Sequence, residues 1–427
     1  MKQLCGLLNL LINSKFNVKE TMKISRAYKV EIKPNNIQKT FFSKSFGIAR
    51  FAYNWGLGLS IKRHEQGEKY LGSIGLHKEL CKIKKTEYPF MYEISKQVPQ
   101  NALRDLDKSF KNFFRGLNGP QRVGFPVFKH KKKTKQSFRI DGNTIKISDS
   151  HIKLPKMKEI KLKENNYIPT INAKYINATI SKSIDRWFVS VLVDHDESVD
   201  GKQIEEIVGI DVGIKQLTTC SNGDVVYNPK FINRYEHRLK RSQQSLSKKE
   251  KGSFNREKQV VKVAKIHRKI KASRLDGIHK MTSSITKTKC RAIVLEDLDI
   301  KGMMKDSKFA KLIADSSWFE IKRQLKYKTL FYGGKVFTID RFFPSSKMCS
   351  NCNTIKDDLK LSDRIYNCTC GFSMDRDLNA SINIQNYYTA SSAEFKALGE
   401  NVRLGSDSLV AQSNLCELGT KHKSLAC

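Results

Sequence analysis

Long apolar runs are missing from this sequence of 427 residues. None approaches the ~20 consecutive apolar residues that a transmembrane helix needs, so we expect no membrane partner. The apolar stretch at residues 4–12 follows a single lysine and lacks the small-residue cleavage site of a secretory signal peptide. We therefore expect a cytoplasmic protein, in which residues 1–22 are a dispensable N-terminal extension and translation starts at Met1 or Met22.

The cysteine spacing of a disulfide scaffold is also missing. The chain has ten cysteines, which are too few for such a scaffold at this length. Six are scattered along the chain, whereas four form a cluster at Cys349, Cys352, Cys368 and Cys370. This distribution favours a reducing compartment and one metal site.

Acidic residues are few compared with basic ones. The chain has 42 Asp and Glu against 79 Lys and Arg, which gives a formal net charge of +37. So large an excess repels itself unless a polyanion neutralises it, and the polyanion that a protein most often meets is nucleic acid. The composition therefore predicts binding to nucleic acid, mainly through its phosphates.

The first half of the sequence contains both strand and helix patterns. Residues 26–33 alternate polar and apolar side chains, as a strand does. Apolar residues then recur at helical spacing over about 36–64 and again over 97–114, where the aromatic residues are expected in the core. Short strand patterns fill 138–194. We therefore predict a β-rich domain with a helical block inserted in it.

The second half begins with two strand patterns after Glu206, joined by a hairpin signal at 221–223. The intensely basic region at about 230–289 has an apolar stripe on its second half, which predicts a helical hairpin with one packed face and one basic face. The remaining predicted elements are a buried strand at 290–300, a helix at about 318–332, a strand at 335–343 and a final helix at 377–388.

Two basic segments are candidates for contact with phosphates. A lysine run such as the one after residue 128 is usually a solvated loop, but in a chain of this charge it is equally a candidate phosphate-contacting strip. The candidate nucleic-acid-binding residues are Lys129, Lys131, Lys132, Lys133, Lys248, Lys249 and Arg256.

The clustered cysteines form two short pairs separated by fifteen residues. Two knuckles that each offer two thiolates satisfy tetrahedral zinc, with Zn–S distances of about 2.3 Å. The spacing therefore predicts a structural zinc ribbon at 345–373, whose ion has no open position for chemistry. The pair Cys368–Cys370 is C-x-C, which is tighter than the commoner C-x-x-C.

Carboxylates occur at the sequence positions that a nuclease with two metal ions requires. Asp211 lies inside the apolar run IVGIDVGI, Glu296 follows the apolar run AIVL, and Asp375 and Asp377 begin the final helix. Burying a carboxylate in an apolar strand is costly unless a metal or cation pairs with it, which favours Asp211 and Glu296 as ligands of Mg²⁺ or Mn²⁺. Asp297 and Asp299 fit the plainer interpretation of acids that face solvent at a strand end.

With these motifs in place, the sequence resembles the TnpB/OrfB family of insertion-sequence proteins. The strings that carry the resemblance are IVGIDVGIKQLTT, LEDLDIKGMMK, IADSSWFEIKRQLKYK, DRFFPSSKMCSNC, LKLSDRIYNC and MDRDLNASINI, with ARFAYNWGL and ALRDLDKSFKNFF upstream. Two features depart from the family pattern, namely the C-x-C pair and Ser381, which stands where alanine is usual.

The resemblance implies a prokaryotic, nucleoid-associated RNA-guided DNA endonuclease related to type V CRISPR effectors. Its implied partners are a guide RNA from the end of the element and a double-stranded DNA target, and its implied nuclease site is a single RuvC centre. By motif, the acids are Asp211 in G-I-D-V-G, Glu296 in L-E-D-L and Asp377 in D-x-N-A, with Asp375 as the other candidate for the third position.

The resemblance also implies a fold that is α/β plus β-barrel, an RNase H/RuvC-like nuclease domain with an inserted zinc ribbon. A wedge-like β-barrel that carries a helical recognition lobe precedes it. The predicted divisions are a wedge-like domain at 23–200 with its helical insertion at about 36–125, a nuclease domain at 205–388, and a flexible tail at 389–427.

Two other functions fit the same residues. A decayed copy of a mobile element would bind DNA or RNA as a regulator of transposition with a silent nuclease site. A strand-transfer transposase would use the same acids to join DNA ends.

Overall fold

The computed structural model describes residues 21–117, 119, 122–198, 204–288, 290–360 and 362–397. These residues cluster into two compact units, an N-terminal unit, Lys23–Glu197, and a C-terminal unit formed by the described residues from Ser198 onward. Residues 1–20 of the predicted extension and 398–427 of the predicted tail lie outside the described residues, whereas residues 21 and 22 begin the first strand and residues 389–397 belong to the last helix. Of the helices in these ranges, none has the length and hydrophobicity that crossing a bilayer requires.

The N-terminal unit is built on a seven-stranded sheet, in the order β2-β6-β7-β1-β5-β4-β3. Val189, Val191 and Val193 alternate along β7 and are fully buried, because successive side chains of a strand point to opposite faces. The strands are β1 (Thr21–Lys33), β2 (Ser137–Asp141), β3 (Lys146–Ile147), β4 (His151–Lys153), β5 (Ile160–Leu162), β6 (Ala173–Ser183) and β7 (Arg186–Ser198).

Three helices lie between β1 and β2 in the chain: α1 (Asn36–Glu65), α2 (Gly72–Lys84) and α3 (Gln97–Leu117). The helices predicted at 36–64 and 97–114 are confirmed as α1 and α3. A capping box begins α1, because the Asn35 side chain accepts from the backbone of Gln38 and the Gln38 side chain accepts from the backbone of Asn35. Phe46 of α1 stacks on Trp187 of β7 with ring centroids 5.7 Å apart, so aromatic side chains of this helix belong to the core.

The C-terminal unit contains a five-stranded sheet, in the order β10-β9-β8-β11-β12. The first three strands are antiparallel neighbours, whereas β8, β11 and β12 run parallel to one another. Gly223 has φ +89° in the β9–β10 turn, a conformation that favours glycine. The strands are β8 (Ile204–Asp211), β9 (Gln216–Cys220), β10 (Val225–Tyr227), β11 (Cys290–Leu295) and β12 (Lys335–Thr338).

Two long helices, α4 (Asn233–Ser247) and α5 (Phe254–Lys287), lie in the basic region between β10 and β11. A buried ion pair fastens this hairpin: Asp315 accepts from the Arg274 side chain at 2.9 and 3.2 Å and from the backbone nitrogen of Ile232 at 3.1 Å. Lys328 is also buried, and it donates to three oxygens of α5. The next helices are α6 (Ile300–Met303), α7 (Ser307–Ser316) and α8 (Trp318–Phe331), and the last is α9 (Arg376–Ala397).

The strand predicted over 335–343 is wrong beyond Thr338. The backbone nitrogen of Ile339 still donates to Leu295, but the Asp340 carboxylate then accepts from the backbone nitrogen of Phe342 at 2.8 Å and turns the chain. The predicted end of the final helix at Tyr388 is also wrong, because α9 continues to Ala397. Tyr388 packs on Phe337 with ring centroids 4.4 Å apart, which holds the helix to the sheet at the predicted end.

Candidate active site and cysteine cluster

Asp211 is the last residue of β8, and its surroundings are set by a close approach of α9. A Cβ at Gly209 would lie 2.1 Å from the carbonyl oxygen of Ser381 and 2.7 Å from the backbone nitrogen of Gln385. The strand and the helix therefore touch backbone to backbone, and only glycine fits at this position. Ser381 is fully buried, and its hydroxyl donates to the carbonyl of Leu378 at 2.7 Å, so the small side chain in place of alanine is accommodated.

Glu296 directly follows the last residue of β11 and lies on the same parallel pair as Asp211. Its side-chain oxygen accepts a hydrogen bond from the hydroxyl of Ser345, a residue that is 4% exposed. Burial raises the pKa of Glu296, and the hydrogen bond from Ser345 acts in the opposite direction.

The two candidates for the third acid have different surroundings. Asp375 is exposed, and its carboxylate accepts from the backbone nitrogens of Asp377 at 3.0 Å and Leu378 at 3.1 Å, so it caps the start of α9. Asp377 is less exposed and pairs with the guanidinium groups of Arg376 at 3.3 Å and Arg364 at 3.9 Å. A capping role accounts for Asp375, whereas Asp377 pairs with two arginines and lies close enough to Asp211 for its charge to raise the pKa of that acid.

The negative charges of Glu296 and Asp377 both act on Asp211. Burial, with the negative charges of Glu296 and Asp377, raises the pKa of Asp211 to about 8, although the charge of Arg376 acts in the opposite direction. The charges of Arg376 and Arg364, which pair with Asp377, partly offset those of the acids. Carboxylate oxygens are the ligands that Mg²⁺ and Mn²⁺ prefer, so the three acids are candidates for holding such an ion.

Asp297 and Asp299 have local partners, as expected for acids at a strand end. Asp297 pairs with Arg341 at 2.7 Å and with Lys322 at 3.5 Å, and the hydrogen bond from Arg341 lowers its pKa. Asp299 caps α6 by accepting from the backbone nitrogen of Gly302 at 3.0 Å. The plainer interpretation therefore fits both of them.

The four clustered cysteines meet in the C-terminal unit, where all their sulfur atoms lie within 4.8 Å of one another. Cys349 and Cys370 are 3.9 Å apart, and Cys352 and Cys368 are 3.5 Å apart. Four sulfurs at about 2.3 Å from one zinc ion would be separated by about 3.8 Å, so the cluster has the dimensions of a tetrahedral site.

The tight C-x-C pair reaches this geometry through its turn. The backbone nitrogen of Cys368 donates to Phe372 at 2.8 Å, and Gly371 at φ +83° reverses the chain between the short strands β13 (Ile365–Asn367) and β14 (Ser373–Asp375). Tyr366 of β13 is fully buried, and its hydroxyl donates to the carbonyl of Lys347 at 3.0 Å, which joins the two halves of the cluster.

Two asparagines that sequence reasoning missed join the cysteine cluster to α9. Asn379 and Asn383 are buried, and both donate to the carbonyl of Met348 at 2.7 Å. Asn383 also donates to the carbonyl of Ser345 at 2.8 Å, and Asn379 accepts from the backbone nitrogen of Ser350 at 3.0 Å. The spacing of four residues puts both asparagines on one face of the helix, which is the signal in the sequence that could have indicated this role.

The candidate nucleic-acid-binding residues differ in what they contact. The Lys129 ammonium lies 3.6 Å from the ring centroid of Tyr53, and burial lowers its pKa, so it is partly committed to the N-terminal unit. The Arg256 guanidinium donates to the carbonyls of Leu246 and Lys249, both at 2.9 Å, and closes the end of α4. In contrast, four candidates are exposed, Lys131, Lys132, Lys133 and Lys248, and Lys249 is half-buried.

Three family profiles match the chain. The OrfB_IS605 profile, "Probable transposase", matches residues 190–307, and the Cas12f1-like TNB domain profile matches 318–384. A helix-turn-helix profile matches 22–69, where the structure has strand β1 followed by the single helix α1.

Two relatives that align with nearly the full length of this chain are described in the same words. A protein of Streptomyces pristinaespiralis named "Putative RNA-guided DNA endonuclease" is 33% identical over 89% of this chain and 92% of its own length. InsQ of Escherichia coli K12, with the same description, is 30% identical over 90% of this chain and 96% of its own length. The cryo-EM structure of a Cas12f1–sgRNA–target DNA complex is similar over 85% of this chain and 99% of that chain, at 14% identity and a TM-score of 0.47.

Proposed function

This chain belongs to the OrfB family of insertion-sequence proteins, and on that premise we propose that it is an RNA-guided DNA endonuclease. The descriptions of its relatives from Streptomyces and Escherichia coli support this activity over almost the whole chain. In this proposal the C-terminal unit is an RNase H/RuvC-like nuclease domain, and the N-terminal unit is the wedge-like domain with its helical recognition lobe. The net charge of +37 supports a guide RNA and a double-stranded DNA target as its partners.

The observation that carries the nuclease assignment is the electrostatic effect on Asp211 of Glu296 and Asp377, two acids from distant parts of the chain. Asp211 comes from the end of β8, Glu296 from the end of β11, and Asp377 from the start of α9. The strand order, in which an antiparallel set of three is extended by two parallel strands, supports an RNase H-like sheet. Burial is the main cause of the raised pKa of Asp211, and the charges of Glu296 and Asp377 raise it further, which supports a site shared by the three acids.

In the proposed mechanism Asp211, Glu296 and Asp377 would hold two Mg²⁺ or Mn²⁺ ions. Such ions would supply Lewis acidity to the phosphodiester and would lower the pKa of the attacking water. Arg376 and Arg364 each pair with one oxygen of the Asp377 carboxylate, and the Ser345 hydroxyl donates to Glu296. Asp375 stays outside the reaction and fixes the start of α9.

The cysteine cluster is proposed to bind one structural Zn²⁺, because four mutually close sulfurs leave no position open for substrate. Zinc content measured on the purified protein tests this assignment. We expect about one ion per chain, its loss in Cys349→Ser, and its retention in Cys81→Ser, which changes an exposed cysteine of the N-terminal unit.

The nuclease proposal is tested with the protein and its copurified RNA. We expect wild-type protein to cut a matched double-stranded DNA with Mg²⁺, and Asp211→Ala to abolish cutting while RNA binding stays near the wild-type level. Sequencing the copurified RNA is expected to give one discrete species with a variable guide end. Binding without cutting by the wild type would favour the silent regulator, and joined DNA products would favour the strand-transfer transposase.

A further inference from the structure

Glu296 follows the sheet by one residue, so the backbone of β11 fixes its Cα but leaves its long side chain several rotatable bonds. The hydroxyl of Ser345 donates to one carboxylate oxygen of Glu296. Since one oxygen is engaged in this way, the orientation of the carboxylate is restricted and the other oxygen keeps a fixed direction. Ser345 is 4% exposed, so water does not compete freely for this contact.

Ser345 is itself held by two backbone contacts. Its carbonyl accepts from the Asn383 side chain at 2.8 Å, and its backbone nitrogen donates to the carbonyl of Phe343 at 2.8 Å. Asn383 is 2% exposed and projects from α9, the helix that also carries Asp377. Helix α9 therefore carries Asp377 and also, through Asn383, holds the serine that contacts Glu296.

The segment 345–350, which we call the clamp segment, continues directly into the first cysteine knuckle. Asn379 and Asn383 fasten its middle through the carbonyl of Met348, and Asn379 fastens its end through the backbone nitrogen of Ser350. Cys349 lies within the segment and is fully buried. Ser345 and the first cysteine knuckle are thus joined by four residues of chain and by hydrogen bonds to the same two asparagines.

We propose that Ser345 is a positioning residue that orients Glu296 for metal binding, and that the cysteine ribbon and Asn383 set the position of Ser345 through the clamp segment. The inference rests on the proposed function, because Glu296 is a metal ligand only in that function. It assigns the ribbon a second role, which is to fix the geometry of a nuclease acid in addition to folding its own loops. Partners that orient a metal ligand commonly change metal affinity or activity ten- to a hundred-fold when they are removed.

The test compares Ser345→Ala with Ser346→Ala, which removes the same hydroxyl from the exposed neighbouring residue. Mn²⁺ affinity is measured by calorimetry on the protein with its copurified RNA and without DNA, and single-turnover cleavage is measured separately. We expect Ser345→Ala to weaken Mn²⁺ binding and slow cleavage roughly ten-fold or more, with unchanged DNA affinity. Ser346→Ala is expected to match the wild type, and Ser345→Thr, which keeps the hydroxyl, is expected to recover part of the loss.

Asn383→Ala supplies the second arm, because it removes the contacts to the carbonyls of Ser345 and Met348 and leaves the side chains of Ser345 and Glu296 unchanged. We expect weaker Mn²⁺ binding here as well, in protein that still contains zinc. Wild-type affinity and rate in Ser345→Ala would overturn the proposal while leaving the nuclease assignment intact. The proposed function itself would be overturned if the wild-type protein cut no DNA and bound Mn²⁺ no more tightly than Asp211→Ala does.

Discussion

At the scale of single residues, the assignment of the third acid depends on what each aspartate already does. Asp375 is used as a helix cap through two backbone nitrogens, whereas Asp377 interacts electrostatically with Asp211. An asparagine keeps an oxygen that can cap a helix, but it removes the negative charge that a metal ion needs. The two positions can therefore be separated by the same substitution.

We predict that Asp377→Asn abolishes Mg²⁺-dependent cleavage and that Asp375→Asn leaves it within a few-fold of the wild type. Both proteins are expected to melt close to the wild-type temperature, since the cap at residue 375 persists. Cleavage rates at saturating Mg²⁺ check this prediction. Cleavage that is lost in Asp375→Asn and kept in Asp377→Asn would reverse the assignment.

Gly209 is the second residue whose replacement should affect the site, because the absence of a side chain there allows α9 to contact β8. We predict that Gly209→Ala moves the helix away from the strand, so that Asp377 and Asp211 separate and cleavage falls at least ten-fold. Overpacking of this kind costs about 1–3 kcal/mol of stability, so the melting temperature should fall as well.

Gly58→Ala is the matched control for this substitution. Gly58 lies within α1, and a Cβ there would meet no atom within 4 Å, so alanine should raise helix stability slightly. Thermal melts and cleavage assays on the pair give the comparison. Equal behaviour of the two variants would show that the close contact at Gly209 is not limiting.

At the scale of elements, the basic hairpin is held to its unit by core residues of α5 and by polar contacts, among which the Arg274–Asp315 pair is the buried ion pair. Asp315 is 4% exposed and also accepts from the backbone nitrogen of Ile232, just before α4 begins. Removing one partner of a buried pair leaves an uncompensated charge, which typically costs about 3–5 kcal/mol.

We predict that Asp315→Ala lowers the free energy of unfolding by about 3 kcal/mol. The control is Asp276→Ala, which breaks a pair with Lys280 on the exposed face of the same helix α5. That pair should contribute less than about 0.5 kcal/mol, because exposed pairs are screened by water. Chemical denaturation of both variants measures the difference, and equal losses would contradict the anchoring role of Asp315.

The secondary-structure elements also show which features can be predicted from the sequence alone. Cysteine spacing predicts the cysteine cluster, and helical periodicity predicts α1 and α3, because these signals are local in the chain. The Ser345–Glu296 contact joins residues 49 positions apart, and Asn383 meets Met348 across 35 positions, so neither contact leaves a periodic trace. The early end of β12 was missed since the Asp340 turn follows an apolar run that looks like a continuing strand.

At the scale of the whole molecule, the net charge of +37 predicts nucleic-acid binding without saying which lysines take part. The structure separates the candidates by what they already contact. Lys129 is partly buried on the Tyr53 ring, so its replacement should weaken the fold of the N-terminal unit. Lys131, Lys132 and Lys133 lie in an exposed turn and are available to phosphates.

We predict that replacing Lys131, Lys132 and Lys133 together by glutamine weakens nucleic-acid binding and makes the affinity less sensitive to salt concentration. Each phosphate contact contributes about 0.7–0.9 to the slope of log affinity against log salt concentration, so losing three changes the slope by about 2–3. Replacing Lys153, Lys158 and Lys161, which are also exposed, removes the same net charge at other positions. If the first set binds phosphates directly, only that set changes the slope, because net charge alone attracts nucleic acid over a distance without releasing particular counterions. Equal slopes for the two triple variants would mean that the charge acts as a whole and that the turn holds no specific contacts.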